Sequence, residues 1–442
     1  MARKPRQILD MNAFDAARDG GEAQASPGLL DKRHANFGAA SVLFFQRPIE
    51  MVSAQGCWME AVDGTRYLDF YNNVPSVGHA HPHVVEAVQR QIGTLNTNTR
   101  YLNATVEAYL ERLKTMIPGG PWNVLMSCTG SEANDLALRI AMAATGAEGI
   151  IVTETAYHGN SHLTTQASPS SYKRGKPPGT VVTVPAPGPE AYGEDIADGF
   201  AKAVKRAVTR LKRRGHKPAV LLCDSIFSSD GVFADPPGFL TDAVGVARAA
   251  GALFIADEVQ PGFGRTGDAF WGYQRHGLEP DFVTMGKPMG NGFPMAAMAV
   301  RPELLKRFCQ TFGYFNTFGG NPVAAAAGSA VLDVIEGEGL QQNAADVGAR
   351  LAGRLRDLAA RDGRIGAVRG AGLFLGLDLV DGSGPDPDLA TLVINTLRER
   401  RVMVGACGKY GHTLKIRPPL CLSLEEADIF ADALADTLAA IG

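Results

Sequence analysis

Long apolar runs are missing from this 442-residue chain. None approaches the roughly 20 residues that a bilayer-spanning helix needs, which argues against a helical membrane protein. Cysteine is scarce and scattered: the six, Cys57, Cys128, Cys223, Cys309, Cys407 and Cys421, form no Cys-x-x-Cys pair. No zinc ribbon or dithiol motif is suggested, and a reducing cytoplasm is the simplest setting. An excess of one charge sign is lacking too. Lysine plus arginine number 43 against 46 acidic residues, a net charge of −3, so nothing pulls the chain toward nucleic acid or an anionic membrane. The basic run Lys205-Arg206, Arg210, Lys212-Arg213-Arg214 has no interleaved aromatics and reads as a solvated helix face. Charges throughout residues 1–27 speak against a secretory signal.

What is present is the composition of a globular enzyme, 45% apolar and 20% charged, with length for two packed domains. Residues up to about Phe37 are polar and rich in Gly, Ala and Asp, and are expected to form a loose arm. Short strands follow over 39–71. A long alternation comes next. Helices are predicted over 131–144, 196–214 and 239–250, and strands over 149–153 and 219–223, with further strands ending at Asp257 and Lys287. Strands alternating with amphipathic helices mean an α/β fold with a mainly parallel sheet covered on both faces. After Asn321 the pattern changes to helices over 322–336, 340–361, 387–400 and 424–440, with strands over 365–369, 373–379 and 414–417. The expected division is an arm with strands contributing to a small domain (1–71), a large domain (72–325) and a C-terminal small α+β domain (326–442).

The two strand ends carry the chemistry. Leu253-Phe254-Ile255-Ala256-Asp257 finishes in a carboxylate, and Asp281-Phe282-Val283-Thr284-Met285-Gly286-Lys287 finishes in an amine. Desolvation opposes a charged lysine at such a place, which turns the amine into a nucleophile and base. Pyridoxal 5'-phosphate (PLP) needs an amine for its aldehyde carbon and an anion for its ring nitrogen. Thr129-Gly130-Ser131-Glu132-Ala133-Asn134 opens a helix, where spare N–H groups either receive a phosphate or form a plain cap. Ala156-Tyr157-His158-Gly159 follows a strand, where an aromatic or imidazole ring can stack on a flat heterocycle. His158 and His162, spaced i,i+4, lack further ligands nearby, and His79, His81 and His83 read as a turn before a helix over 84–92, so no metal is expected. Gly262-Phe263-Gly264-Arg265-Thr266-Gly267 matches a dinucleotide pattern formally, but no helix starts inside it; it reads as a glycine-rich loop over the site.

Taken together, the motifs from about Gly56 to the C-terminus resemble the class III aminotransferases of PLP fold type I. The resemblance is carried by Thr-Gly-Ser-Glu-Ala-Asn, Tyr-His-Gly, Asp-Glu-Val-Gln-x-Gly-Phe-Gly-Arg-x-Gly, Gly-Lys and Thr-Phe-Gly-Gly-Asn-Pro. It implies a large domain with a mainly parallel seven-stranded sheet and a smaller α+β domain. It also implies that Lys287 is the Schiff-base lysine and that Asp257 pairs with the pyridine nitrogen. Gln260 would face the phenolic oxygen, Gly130 and Ser131 the phosphate, and Tyr157 the ring. Thr317 would reach the phosphate in a neighbouring subunit, making a homodimer with shared sites. Stretches such as Tyr71–His79, 95–101 and Leu414-Lys415-Ile416-Arg417-Pro418-Pro419 are similar to the phospho-lyases of ethanolamine phosphate and 5-phosphohydroxylysine.

Two departures bear on the reaction. Amino-acid transaminases of this family place an arginine where this chain has Lys415, and a gating glutamate where it has Ser229. A lysine does not replace the bidentate arginine fork. Arg100, Lys415 and Arg417 are the candidates for a substrate phosphate. The expected reaction is removal of a carbon proton from a primary amine, followed by loss of phosphate; transamination with a 2-oxo acid is the alternative.

Overall fold

A seven-stranded sheet forms the centre of the large unit. A computed structural model describes residues 5–8, 10–20 and 22–442; residues 1–4, 9 and 21 of the arm lie outside it. Across the sheet the strands run Asn123–Ser127, Ala296–Val300, Phe282–Met285, Leu253–Asp257, Pro218–Asp224, Gly149–Thr153 and Val181–Val184. Ala296–Val300 is antiparallel to both neighbours, and every other pairing is parallel, so the sheet is mainly parallel as expected. Gly149–Thr153 and Ala296–Val300 are buried along their whole length, as strands covered on both faces must be. Amphipathic helices supply the cover: Ile196–Arg213 turns Phe200, Val204, Ala207 and Leu211 inward and its basic run outward.

Register sets the chemistry. Asp224 lies opposite Asp257, and Asp257 lies opposite Thr284 on the other side. Lys287 comes three residues after Thr284 in the chain. The acid and the amine therefore emerge at the carboxyl edge of adjacent parallel strands, where open α/β sheets bind ligands.

A second sheet, ordered Ile365–Ala371, Phe374–Asp381, Thr413–Ile416 and Gly405–Cys407, belongs to the C-terminal unit. The N-terminal strands Met51–Gln55, Trp58–Ala61 and Arg66–Asp69 join it through a parallel pairing with Val402–Met403. The arm is less loose than its composition suggests. Met11 is buried, and the Gln24 carbonyl accepts from Tyr67 Oη and Arg398 Nη2, both at 2.6 Å. The helix Leu29–Phe37, in contrast, buries no side chain.

The three early histidines do not converge. His79 pairs with Asp69 at 2.8 Å, His81 with Glu338 at 3.0 Å and His83 with Asp333 at 2.9 Å. Their helix starts at Pro82, earlier than expected, because proline is favoured in a first turn, where no N–H is needed.

The loop Gly262–Gly267 corrects another expectation. It does not cover the site but is buried throughout. Gly267 has φ +80°, and a Cβ there would meet the Ala345 Cα at 2.7 Å, so the turn packs against a helix where only glycine fits. Within it the buried Arg265 donates through Nη1 to Leu373 O at 3.0 Å and Pro418 O at 2.7 Å. The guanidinium thus anchors the segment that follows Arg417. Replacing it by leucine (R265L) strands two buried carbonyls and is expected to cost about 2–4 kcal/mol, read as a lower midpoint in urea unfolding.

Candidate active site

The carboxyl edge of the large sheet opens into a cavity of about 270 Å³, near the lower end of ordinary small-ligand pockets. Gly130, Ser131, Tyr157, His158, Asp257, Gln260 and Lys287 all line it. The structure therefore brings together seven of the residues singled out in the sequence.

Asp257 is held from three sides. Its Oδ2 accepts from Asn134 Nδ2 at 2.9 Å and from the His158 ring Nδ1 at 2.6 Å, and its Oδ1 accepts from the Val259 N–H at 3.1 Å. Asn134 is fixed in turn. Its Oδ1 accepts from Thr284 Oγ1 at 2.6 Å, and its amide also donates to His158 O at 3.0 Å. Of the aromatic and imidazole rings that could face the ligand, His158 orients the carboxylate, and its buried Nε2 has no hydrogen-bond partner. His162 turns to Gln166 at 2.9 Å, so the i,i+4 pair does not converge on a metal.

The start of the helix Gly130–Thr145 forms another wall. Thr129 and Glu132 make a capping box, with the Glu132 carboxylate accepting from the Thr129 N–H at 3.0 Å. The box leaves the Gly130 and Ser131 N–H groups free to meet an anion. Glycine is required close by: a Cβ on Gly159 would meet the Ser131 Oγ at 2.5 Å, and one on Gly130 would meet Val259 Cγ2 at 2.9 Å. An anion cradle, an enclosed carboxylate and a lysine facing one cavity fit PLP. Gly130 and Ser131 could receive its phosphate, Asp257 its ring nitrogen and Lys287 its aldehyde carbon.

A cationic cluster backs Gln260; Lys415 and Arg417 do not themselves line the cavity. Arg417 Nη1 donates to Gln260 Oε1 at 2.7 Å and Asn73 Oδ1 at 3.1 Å, while the guanidinium sits 4.7 Å from the Tyr71 ring centre. Its buried Nε is unpartnered. Lys415 is 3% exposed, with its ammonium nitrogen 5.6 Å from the Phe374 ring centre. Burial, reinforced by Arg417, lowers the Lys415 amine to about 7. The same two causes lower Lys287 to about 8, against the attraction of Asp257 and Asp224. Asp224 is pushed up by burial and by the nearby Asp257. Asp230 rises to about 6 through burial, although Thr153 Oγ1 donates to it at 2.8 Å and Thr155 Oγ1 also donates. Ser229 is buried beside it and accepts the Gly408 N–H through its carbonyl at 3.1 Å.

Arg100 and Thr317 lie outside this cavity and are exposed. Asn134, Thr284 and Asp224 are contributors that sequence reasoning did not single out. Asn134 closes the Thr-Gly-Ser-Glu-Ala-Asn motif, so its conjunction with the strand ends was the available signal.

A sheet of this order, with its ionisable groups at the carboxyl edge, is the architecture of the fold type I PLP enzymes. Residues 44–438 match the family described as aminotransferase class-III, and the chain belongs to that family. It is a PLP-dependent enzyme. It is 37% identical to "Alanine--glyoxylate aminotransferase 2-like" of Drosophila melanogaster over 92% of this chain and 86% of that protein. Identity is 35% to "Ethanolamine-phosphate phospho-lyase homolog 1" of Caenorhabditis elegans, over 91% of each chain. Among solved structures, a phospholyase from Arthrobacter in complex with phosphoethanolamine superposes with a TM-score of 0.90 at 41% identity, covering 94% of this chain and all of the other.

The lysine cluster generates a signed pH effect. The folded chain releases the Lys415 proton near pH 7, whereas a lysine in the unfolded chain holds it to about 10.5. Between those values the unfolded state binds more protons, so stability rises with pH. Denaturant unfolding of the apoprotein at pH 7 and pH 9 is expected to show that rise. Lys415→Met should diminish it and should be the more stable protein at pH 7 by more than about 1 kcal/mol.

Proposed function

We propose that this enzyme is a phospho-lyase that converts a small phosphorylated primary amine, of the ethanolamine phosphate class, into an aldehyde, ammonia and phosphate. The observation that carries this reading is the buried cationic pair Lys415 and Arg417 beside the cavity that Lys287 lines, with Arg417 bonded to the cavity residue Gln260. It stands where amino-acid transaminases keep an arginine gated by glutamate, and Ser229 offers no such gate. The high similarity to a phospholyase crystallised with phosphoethanolamine supports it.

When bound, PLP supplies an electron-withdrawing ring joined to the substrate nitrogen. Lys287, with an amine lowered to about 8, takes the proton from the carbon bearing that nitrogen. Asp257, held by Asn134 and His158, presents a fixed carboxylate to the ring nitrogen. Tyr157 would flank the ring, and Gln260, already engaged by Arg417, would hold its phenolic oxygen. Lys415 and Arg417 hold the substrate phosphate and stabilise the charge it carries away as the neighbouring C–O bond breaks. Addition of water to the released enamine completes the balance, giving aldehyde and ammonia.

A homodimer completes the site in this reading. Leu95, Tyr101, Leu102, Phe312, Phe315 and Phe318 are exposed, Leu102 at 98% and Phe318 at 71%. Arg100 lies 4.3 Å from the Phe315 ring centre, so the two segments form one face. Apolar surface of this kind is characteristic of an interface, and it would deliver Thr317 and Arg100 of one protomer to the site of its partner. No helix among the described residues is long and apolar enough to cross a membrane. All six cysteines are free, in keeping with a reducing compartment such as the cytosol.

The deciding experiment supplies the holoenzyme with ethanolamine phosphate and no 2-oxo acid. Phosphate, acetaldehyde and ammonia are expected in equal amounts. The alternative, transamination, is favoured by relatives named alanine–glyoxylate aminotransferase 2; pyruvate-dependent deamination without phosphate release would establish it instead. Lys287→Ala is expected to lower turnover by on the order of 10²–10⁴. Lys415→Met should raise KM for the phosphorylated amine about tenfold or more, the loss of one charge-assisted contact. For the dimer, the pair Leu102→Glu and Phe318→Glu should move the species from twice the chain mass of 46.8 kDa to once that mass in light scattering.

A further inference from the structure

Two thiols that no step above uses face each other at the junction between the N-terminal strands and the C-terminal unit. Cys57 Sγ and Cys421 Sγ are 3.6 Å apart, although the residues are 364 positions apart in the chain. Cys57 is buried, in the turn between Met51–Gln55 and Trp58–Ala61, and its carbonyl accepts the Asp69 N–H at 2.8 Å. Cys421 is partly accessible and follows Pro418-Pro419-Leu420, four residues beyond Arg417. Both ends are braced. Leu420 N donates to Ser76 O at 2.7 Å, and Asn343 Nδ2 donates to Leu420 O at 2.7 Å and Leu422 O at 2.9 Å. On the other side, Trp58 Nε1 donates to Glu426 Oε1 at 2.7 Å.

We infer that Cys57 and Cys421 form a reversible intramolecular disulfide under oxidation by a hydroperoxide. The sulfurs need approach each other by only about 1.5 Å to reach bonding distance. The two thiols are not equivalent. The Cys57 sulfur is buried, and its hydrogen bond lowers Cys421, which is the nucleophile that solvent can reach. The Cys421 thiolate attacks the peroxide O–O bond, giving a sulfenic acid and hydroxide. The Cys57 sulfur then displaces water from that sulfenic acid, closing the S–S bond. In sum, two thiols and one hydrogen peroxide give one disulfide and two waters, and a dithiol reductant reverses the change. The link ties the first strands of the small unit to the segment that carries Lys415 and Arg417. It closes a loop of 364 residues and so constrains the unfolded chain strongly.

The test treats the purified holoenzyme with a few equivalents of hydrogen peroxide, then maps the linkage by non-reducing peptide mass spectrometry and counts thiols. The expected result is a Cys57–Cys421 cross-linked peptide, a fall from six free thiols to four, full recovery with dithiothreitol and a raised thermal midpoint in the oxidised form. Cys421→Ser should show neither the thiol loss nor the midpoint shift. The proposal is overturned if Cys421 proceeds to sulfinic acid while Cys57 stays reduced. It is equally overturned if the thiols lost lie at the exposed Cys309 or in cross-links between chains. Mapping on the wild type keeps the question decidable even if a cysteine variant fails to fold.

Discussion

Three donors converge on the Asp257 carboxylate, and each comes from a different element: Asn134 from the first helix beyond the sheet edge, His158 from the turn after Gly149–Thr153, and Val259 from its own strand end. A buried carboxylate must be satisfied on all sides, so these elements cannot shift independently. The Thr284 hydroxyl extends the network to the strand that leads to Lys287. One chain of hydrogen bonds thus fixes both the acid and the strand that positions the amine. The anion cradle at Gly130 belongs to the same helix as Asn134, so it too takes its place from this network.

Against that rigid wall stands a group of cations that would rather be apart. Lys287 lines the cavity and Lys415 and Arg417 are buried beside it; Arg417 lowers the proton affinity of both lysines, and Lys287 that of Lys415. Arg417 is the best paired, with Gln260 and Asn73. Lys415 is the least, resting against Phe374. A dianionic ligand would relieve this repulsion, which is why the cluster suits a phosphorylated substrate better than a neutral one. Burial, with the Arg417 charge added, keeps Lys287 nearer its neutral form, the one that accepts a proton. In the proposed reaction, phosphate recognition and proton removal are thus electrostatically linked.

Much of this was legible in the chain. The two apolar strands ending in Asp257 and Lys287, the glycine-marked helix start and the helices near 84–92, 131–144, 196–214 and 239–250 follow from periodicity and end signals. The strand Ala296–Val300 does not: Ala296-Ala297-Met298-Ala299 has no β-branched residue and passes for helix, and its burial between two strands decides its form. Asn123–Ser127, at the sheet edge, and the helix Ala104–Thr115 went unmarked for want of a strong local pattern. His158 illustrates another limit. Its place near the ligand was readable, but its bond to a carboxylate 99 residues away is a tertiary fact. The glycine-rich loop misled for a related reason, since Arg265 uses it to reach carbonyls more than a hundred positions downstream.

The register between Asp224, Asp257 and Thr284 reaches beyond this one enzyme. Side chains alternate across a strand, so a slip of one residue would send the carboxylate to the opposite face. Gradual change cannot pass through such a slip. In the proposed reading, a change of substrate therefore leaves the strand ends untouched and works where Lys415 and Arg417 alternate with buried apolar residues. In that reading, the architecture separates the chemistry of the large sheet's strand ends from the recognition of substrate by Lys415 and Arg417.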